Sequence, residues 1–247
     1  MSATVAVEVC IDSVESAIAA QEGGAARVEL CAALDEGGLT PSAGMIELVR
    51  GKISIGLQVM IRPRSGDFFY SDLETEAMMK DIEAVKGLGV DGVVIGVLNS
   101  DYTVDVVRMD MLVELARPLS VTFHRAFDET RDQVAAMETI INLGIDRILT
   151  SGGRRSVSDG LPTVKRLVQQ SGGRIAIMAG SGITIENVRE IVVRTGVKEV
   201  HVRSGVTARR RAGQRDAGLY GPRPNVVDPT ALRRLIEELE RWESSVA

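Results

Sequence analysis

The sequence has little of several features that mark whole classes of protein. With 2 cysteines and 3% aromatic residues in 247, it argues against a disulfide framework and against a stacking surface for bases. Its net charge of −5 argues against a nucleic-acid partner, which needs a basic surface. No apolar run approaches the roughly 20 residues that span a bilayer, and the N-terminus has no signal-peptide pattern. We therefore expect a cytoplasmic location, free thiols and no membrane partner.

What the sequence does have is an alternation of short β-branched runs with segments of helical period. With 45% hydrophobic residues, a chain of this length can bury a full core. Eight strand–helix pairs can be counted, which is typical of a parallel sheet covered by helices. The predicted strands are Val5–Cys10, Arg27–Cys31, Ile55–Arg62, Gly92–Leu98, Leu119–His124, Arg147–Thr150, Arg174–Ala179 and Glu199–Arg203.

Capping residues mark where several helices begin. Ser71 with Glu74 and Thr130 with Gln133 have the spacing of a capping box, in which each end of the pair bonds the backbone of the other. Two further N-caps are predicted at Asp12 and Asp228. For Asp12 this capping role is favoured over a catalytic one.

A weak internal repeat indicates how the sheet closes. Gly24, Gly89, Gly144 and Gly196 each begin a pattern of glycine, a small or branched apolar residue, two mostly polar residues and a strand start. These patterns precede every second predicted strand, as in a barrel built from two-strand quarters. The sequence therefore predicts a single (β/α)8 TIM barrel over residues 1–247. The alternative is an open α/β sheet, whose glycine-rich nucleotide fingerprint is missing.

One long irregular stretch, residues 204–227, is rich in arginine and glycine. Loops of this length are usually functional or disordered. Within it, Arg209–Arg211 is predicted to be solvated.

The functional site of such a barrel lies at the carboxyl ends of its strands. Alternation along each strand selects the side chains that face the lumen. They are predicted to be Glu8, Cys10, Glu29, Cys31, Gln58, Met60, Arg62, Thr122, His124, Glu199, His201 and Arg203.

Four of these residues are candidates for acid–base catalysis: Glu8, Glu29, His124 and His201. The two histidines are the only ones in the chain, and both fall at strand ends. The alternatives are hydrogen-bonded core histidines, and glutamates in a structural ion network with Arg62, Arg125 or Arg203.

Glycine-rich loops at the same ends predict an anion site. Glycines let backbone N–H groups point into a concavity, and helix N-termini add partial positive charge. The loops are Ser151-Gly152-Gly153, Gly180-Ser181-Gly182 and Ser204-Gly205. Arg62, Arg64 and Arg203 would supply full charge for a phosphate or carboxylate. We expect anion affinity to rise as the pH falls toward the range in which His124 gains a proton.

Cys10 and Cys31 are predicted to end adjacent strands and to face the same way. A soft thiolate pair suits copper(I), whereas zinc would require further ligands from His or Glu. The alternative is two small, buried core residues. The chain has no Cys-x-x-Cys motif.

Several long motifs occur in order along the chain. They are Glu8-Val-Cys-Ile-Asp-Ser13, Arg27-Val-Glu-Leu-Cys31, Gly37-Gly-Leu-Thr-Pro-Ser42, Met60-Ile-Arg-Pro-Arg64, Phe123-His-Arg-Ala-Phe-Asp128 and Arg147-Ile-Leu-Thr-Ser-Gly-Gly153. In these motifs the chain resembles the copper homeostasis protein CutC family. The resemblance implies a (β/α)8 barrel, a cytoplasmic location, copper(I) binding by Cys10 and Cys31, and a homo-oligomer, either dimer or tetramer.

Two functional hypotheses follow, and a binding or scaffold role is a third. The first is a copper homeostasis protein that binds copper(I) through the two thiols, as the resemblance implies. The second is an enzyme that acts on a small anionic substrate, phosphorylated or carboxylate, by Glu/His acid–base chemistry. The polar strand ends favour the enzyme, because binding a metal needs only the thiols.

Overall fold

Eight parallel strands form the centre of the computed structural model, which describes residues 5–208 and 225–246. The strands are β1 (Ala6–Ile11), β2 (Arg27–Leu30), β3 (Gly56–Met60), β4 (Gly92–Ile95), β5 (Ser120–Phe123), β6 (Arg147–Thr150), β7 (Ala176–Gly180) and β8 (Glu199–Val202). Neighbours in sequence are neighbours in space, and β1 pairs with β8 to close the barrel. The predicted (β/α)8 barrel is confirmed, and the open-sheet alternative is wrong.

Helices cover the outside of the barrel. They are α1 (Val14–Glu22), α2 (Ala43–Arg50), α3 (Asp72–Lys86), α4 (Val106–Ala116), α5 (Gln133–Asn142), α6 (Val157–Ser171), α7 (Val188–Thr195) and α8 (Pro229–Val246). Outward-facing strand residues such as Val9, Val28 and Leu57 are fully buried beneath them. The hydrophobic core therefore lies between strands and helices, and the lumen is left to the opposite faces of the strands.

The four glycines of the internal repeat share one backbone conformation. Gly24, Gly89, Gly144 and Gly196 all have positive φ, between 69° and 93°. Each stands shortly before β2, β4, β6 or β8. A residue with a Cβ would be strained in this left-handed region, so the repeat marks a turn that reverses the chain from helix to strand.

The predicted caps agree with the structure at two of four positions. Ser71 and Glu74 form both bonds of a capping box at α3, and the Asp228 carboxylate accepts N–H groups at the start of α8. At α5 the prediction was wrong, because Asp132 and not Thr130 accepts the first free N–H groups. It was also wrong at α1, where the N-cap is Ser13. In both errors a neighbouring Ser or Asp has the extended backbone that capping requires.

Several strands were predicted to be longer than they are in the structure. The fourth, for example, was predicted to end at Leu98, whereas β4 ends at Ile95. Val97 and Leu98 are buried although they are not in a strand, so the apolar pattern continues after pairing stops. After β8 the chain forms β9 (Thr207–Ala208), which pairs with β10 (Val226–Val227) as an antiparallel hairpin. Both ends of the predicted loop 204–227 thus form regular structure, and Arg209–Arg211 lies outside the described residues. Among the described helices, none is long and apolar enough to cross a membrane.

Candidate functional site

A cavity of about 330 Å³ opens at the carboxyl ends of the strands. This volume is at the lower end of the range for small-molecule sites. Charged and thiol side chains share its wall with apolar ones. The lining residues that bear on function are Cys10, Glu29, Cys31, Met60, Arg62, Phe68, His124, Arg125, Ser181, Gly182, His201 and Arg203.

An ion network fills the lumen below this cavity. Glu8 is 0% exposed and lies in register between Arg27 on β2 and His201 on β8. Its carboxylate pairs with Arg27 and, at 2.8 Å, with His201 Nδ1. Glu199 pairs with both Arg27 and Arg147. Burial alone would raise the pKa of Glu8, but the His201 hydrogen bond and the Arg27 charge lower it to about 2.

This network corrects the sequence-based view of the glutamates. Glu8 is held in ion pairs, and its arginine partner is Arg27 instead of Arg62, Arg125 or Arg203. Sequence reasoning missed Arg27 because it placed the functional residues at the carboxyl ends of the strands, whereas Arg27 is the first residue of β2. Alternation backwards from Glu29 would have found it, because residues two apart on a strand share a face.

Cys10, Cys31 and Glu29 form a compact group at the base of the cavity. Their ligand atoms, the two Sγ atoms and a carboxylate oxygen, all lie within 4.8 Å of one another. Cys31 Sγ is 3.5 Å from Glu29 Oε2, which in turn is 3.7 Å from His201 Nε2. Met60 packs in the same small cluster. Both cysteines are buried free thiols.

The pKa values of the side chains in this group are shifted from their ordinary values. The hydrogen bond from Cys31 lowers the pKa of Cys10, and His201 lowers it further. Burial acts in the opposite direction, and the resulting pKa is about 5. The pKa of Glu29 is raised well above its usual range, because burial and the nearby Cys10 outweigh the attraction of His201. Burial opposes the charged form of His201, yet Glu29, Cys10 and Glu8 raise its pKa. The two shifts act in the same sense, because a lowered pKa of Cys10 and a raised pKa of His201 both favour a thiolate beside an imidazolium.

His124, on the cavity wall after β5, has the opposite character. Its Nδ1 accepts a hydrogen bond from Ala126 N–H at 3.2 Å, so the ring proton lies on Nε2. That atom is buried and has no partner among the described residues. Burial and the charge of Arg62 lower the pKa of His124 to about 3. This low pKa argues against protonation of His124 near pH 6, and the expected rise of anion affinity in that range stays a prediction.

We expect His124 to stay neutral from pH 8 to pH 5 in the folded protein, with its proton on Nε2. Because the unfolded pKa is about 6.5, the unfolded state binds more protons, and stability is lost as the pH falls from 6.5 toward 3. Long-range ¹H–¹⁵N spectra report the tautomer, and urea unfolding at several pH values reports the slope. His124→Phe, which cannot titrate, should flatten that slope; equal slopes in both proteins would contradict the prediction.

The arginines of the predicted anion site differ in position. The Arg62 guanidinium lines the cavity and donates to the carbonyls of Glu36, Gly38 and Gly66. Arg64 points away from the cavity, where its Nε pairs with Glu74 at 2.5 Å and its other nitrogens bond to the following loop. Arg64 is therefore a residue that shapes a loop, which corrects its predicted role in anion binding.

The loop after β6 also departs from the prediction. The backbone N–H groups of Ser151 and Gly153 donate to the carboxylate of Asp128, and that of Gly152 donates to Thr150 Oγ1. An internal carboxylate and an internal hydroxyl thus accept from the N–H groups that were predicted to hold an external anion. Asp128 was missed as a partner because its role depends on contact between two loops.

The loop after β7 does reach the cavity. Ser181 and Gly182 line it, and Gly180 lies beneath them against His201. Within the described ranges, the backbone N–H groups of Ser181, Gly182 and Ile183 donate no hydrogen bond. Arg203 lines the cavity as well.

Comparisons with known proteins agree with this architecture. A family model described as the CutC family matches residues 5–206. The chain belongs to the CutC family. A copper homeostasis protein cutC homolog from Homo sapiens is 50% identical over 195 residues, which cover 79% of this chain and 71% of that protein. A CutC family protein from Xylella fastidiosa (strain 9a5c) is 46% identical over 246 residues, covering 99% of this chain and 92% of the relative.

Solved structures extend the comparison. A CutC protein from Streptococcus agalactiae, 35% identical, superposes with a TM-score of 0.76 over 80% of this chain and 97% of that one. A thiamine phosphate pyrophosphorylase from Pyrococcus furiosus has a TM-score of 0.62 at 17% identity, covering 96% of each chain. At that identity the second likeness shows only a shared barrel fold.

Proposed function

We propose that the chain is a copper homeostasis protein that binds copper(I) as cargo through Cys10 and Cys31. The observation that supports this best is the pair of buried free thiols on adjacent strands, with sulfur atoms within 4.8 Å. Thiolates are the ligands that select copper(I) over harder ions. The names of the human and Streptococcus agalactiae relatives point the same way.

The geometry of the donor set fits such an ion. A metal–thiolate bond is about 2.3 Å for zinc, so one ion between two sulfurs spans up to about 4.6 Å. The spacing of Cys10 and Cys31 is compatible with that distance. The lowered pKa of Cys10 favours the thiolate that a metal requires. Met60 belongs to the same buried cluster as the two cysteines, and its thioether is a candidate third soft donor.

We expect serine at either cysteine to weaken copper(I) binding by at least about 100-fold, or about 2.7 kcal/mol. Serine keeps the side-chain size but removes the soft ligand, so the fold should survive. The measurement is an anaerobic titration of copper(I) against a chromogenic chelator, with wild type, Cys10→Ser, Cys31→Ser and the double variant. Thermal unfolding confirms that each variant is folded.

A matched methionine pair tests the third donor. Met60→Leu should weaken copper(I) binding, whereas Met137→Leu, buried between β-barrel and helices, should leave it unchanged. Equal copper(I) affinity in wild type and the double cysteine variant would contradict the proposal that Cys10 and Cys31 bind the ion.

Specific atoms in the cavity support a second candidate function, an enzyme for a small anionic substrate. Glu29 Oε1 and His124 Nε2 are buried and lack a partner in the described part of the chain. A metal carrier has no evident use for them, whereas a proton donor and a hydrogen-bond donor are parts of acid–base sites. Glu8 and His201 would then act indirectly, as an ion pair that orients the site.

We further propose that the chain works as a homo-oligomer in the cytoplasm, as the family resemblance implies. Buried free thiols suit a reducing compartment. Leu73 on α3 and Val106, Val107 and Met111 on α4 are large apolar side chains exposed on neighbouring helices. A second copy packed against them would remove this surface from water. Sedimentation velocity measures the number of chains.

A further inference from the structure

Arg62 is a buried cation with no ion-pair partner among the described residues. It is 5% exposed, its guanidinium donates to main-chain carbonyls, and its Nε has no hydrogen-bond partner in the described part of the chain. The pKa of Asp67 is lowered mainly by its hydrogen bond to Arg64 and slightly by the charge of Arg62, but its carboxylate pairs with Arg64. Across residues 5–208 and 225–241, it forms no ion pair with any carboxylate within 4.0 Å. A buried charge without a counter-charge is costly. The cavity that Arg62 lines is where a counter-ion can enter.

His124 adds a second donor beside this charge. Its Nε2–H has no partner among the described residues, and its proton position is fixed by the Ala126 N–H on the other ring nitrogen. The Phe68 ring packs against both groups, with its centroid 4.9 Å from the His124 ring and 4.9 Å from Arg62 Cζ. The two donors are therefore held in a common orientation by an apolar wall.

The opposite rim of the cavity carries donors of its own. The backbone N–H groups of Ser181, Gly182 and Ile183 have no acceptor in the described part of the chain. Arg203 lines the same rim; its charge acts on the Asp12 carboxylate, but no described carboxylate lies within 4.0 Å of it. Glu29 is the one carboxylate among the described lining residues; burial raises its pKa and so favours its uncharged form, and His201 lies 3.7 Å away. The lining is thus rich in donors and in positive charge.

We propose that this cavity binds a small organic anion, one with a carboxylate or phosphate group, between Arg62 and Arg203, with His124 as an uncharged hydrogen-bond donor. Binding supplies the counter-charge that Arg62 lacks and an acceptor for His124 Nε2–H. Phe68, Leu34 and Ile183 line the space between and accommodate an apolar carbon skeleton. The site goes beyond copper binding, and it gives the second candidate function its substrate class.

The test is calorimetric titration of the metal-free protein with three probes: inorganic phosphate, glycerol 3-phosphate and succinate. We expect saturable binding of at least one organic probe at one site per chain, and weaker binding of inorganic phosphate, which has no carbon skeleton. Arg203→Ala and His124→Phe should each weaken that binding by about tenfold or more, because each loses a hydrogen bond to a charged group. His124→Gln, which retains an N–H donor, should bind more tightly than His124→Phe.

Two controls separate this site from other effects. Arg194→Ala removes an exposed arginine whose ion pair, in the described part of the chain, is with Glu190 on α7, and the anion affinity of this variant should equal that of wild type. The Cys10→Ser, Cys31→Ser double variant should still bind the anion saturably at one site per chain, although its affinity can change because both thiols line the cavity; a failure of copper binding therefore leaves this result unaffected. The proposal is overturned if no probe binds saturably, if Arg203→Ala and His124→Phe bind as tightly as wild type, or if binding requires the thiols.

Discussion

Replacing Gly160 with alanine should lower the free energy of unfolding by about 3 kcal/mol or more. Gly160 lies in α6, against the loop that follows β6, and a Cβ there would be 1.9 Å from the carbonyl oxygen of Ser151. The clashing atom is backbone, so no side chain can rotate away. Urea unfolding of wild type and Gly160→Ala measures the difference.

A second helical glycine provides the matched control. Gly44 lies in α2 and has nothing within 4 Å of the place where its Cβ would be. Gly44→Ala should therefore stabilise the protein by about 0.5–1 kcal/mol, since alanine loses less conformational freedom in a helix. If Gly160→Ala were as stable as Gly44→Ala, this result would contradict the close contact between α6 and the loop that follows β6.

The Gly160 contact also bears on the cavity. Ser151 and Gly153 donate their N–H groups to Asp128, and Asp128 pairs with Arg125 on the cavity wall. A displaced Ser151 would loosen these bonds and move Arg125. We therefore expect the packing of an outer helix to affect the shape of the site, although Gly160 lines no part of it.

A turn links the thiol group to the proposed anion site. Gly37 and Gly38 have φ values of 87° and 90°, which a residue with a side chain rarely adopts. A Cβ on Gly37 would be 3.0 Å from Arg62 Nη1, and one on Gly38 would be 3.2 Å from Cys31 Sγ. The backbone between a candidate copper ligand and a candidate anion-binding arginine is thus in contact with both.

The barrel was predictable from the sequence because its signals are local. Alternation along a strand decides which side chains enter the lumen, and the repeat glycines mark turns within five residues. The presence of Cys10, Cys31, His124 and His201 at one cavity follows from those rules alone.

The chemistry of the site was less predictable because it depends on contacts between strands far apart in sequence. The neutral state of His124 results from burial and from Arg62, which lies two strands away in the barrel. The partner of Glu8 is set by the register of β1 on β2. Neither the neutral state of His124 nor the partner of Glu8 can be deduced from the spacing of residues within a single motif.

Removing the charge of Glu8 should destabilise the protein by about 3–5 kcal/mol. Glutamine preserves the volume of Glu8 but leaves His201 and Arg27 with one counter-charge fewer in the buried lumen. The matched control is Glu190→Gln, which breaks an exposed ion pair with Arg194 on α7. An exposed pair of this kind contributes about 0.5 kcal/mol or less. Urea unfolding at pH 7 compares the two variants.

The pH dependence identifies the origin of that loss. The pKa of Glu8 is about 2 in the folded protein, below its ordinary value of 4.5, so its contribution is present above pH 4.5 and is lost as the pH falls toward 2. The stability difference between wild type and Glu8→Gln should shrink over the same window. A difference that stays constant from pH 5 to pH 2 would assign the loss to packing instead of charge.

Glu8→Gln should also change the reactivity of the thiols. Glu8 is one of the groups that raise the pKa of His201, and the hydrogen bond from Cys31, followed by His201, lowers the pKa of Cys10 to about 5. Without Glu8, His201 gives up its proton more readily and the pKa of Cys10 rises. The rate of Cys10 alkylation, measured against pH in a Cys31→Ser background, should therefore shift to higher pH in Glu8→Gln and stay unshifted in Glu190→Gln. An unshifted profile in both would show that the ion network below the cavity does not control the thiol above it.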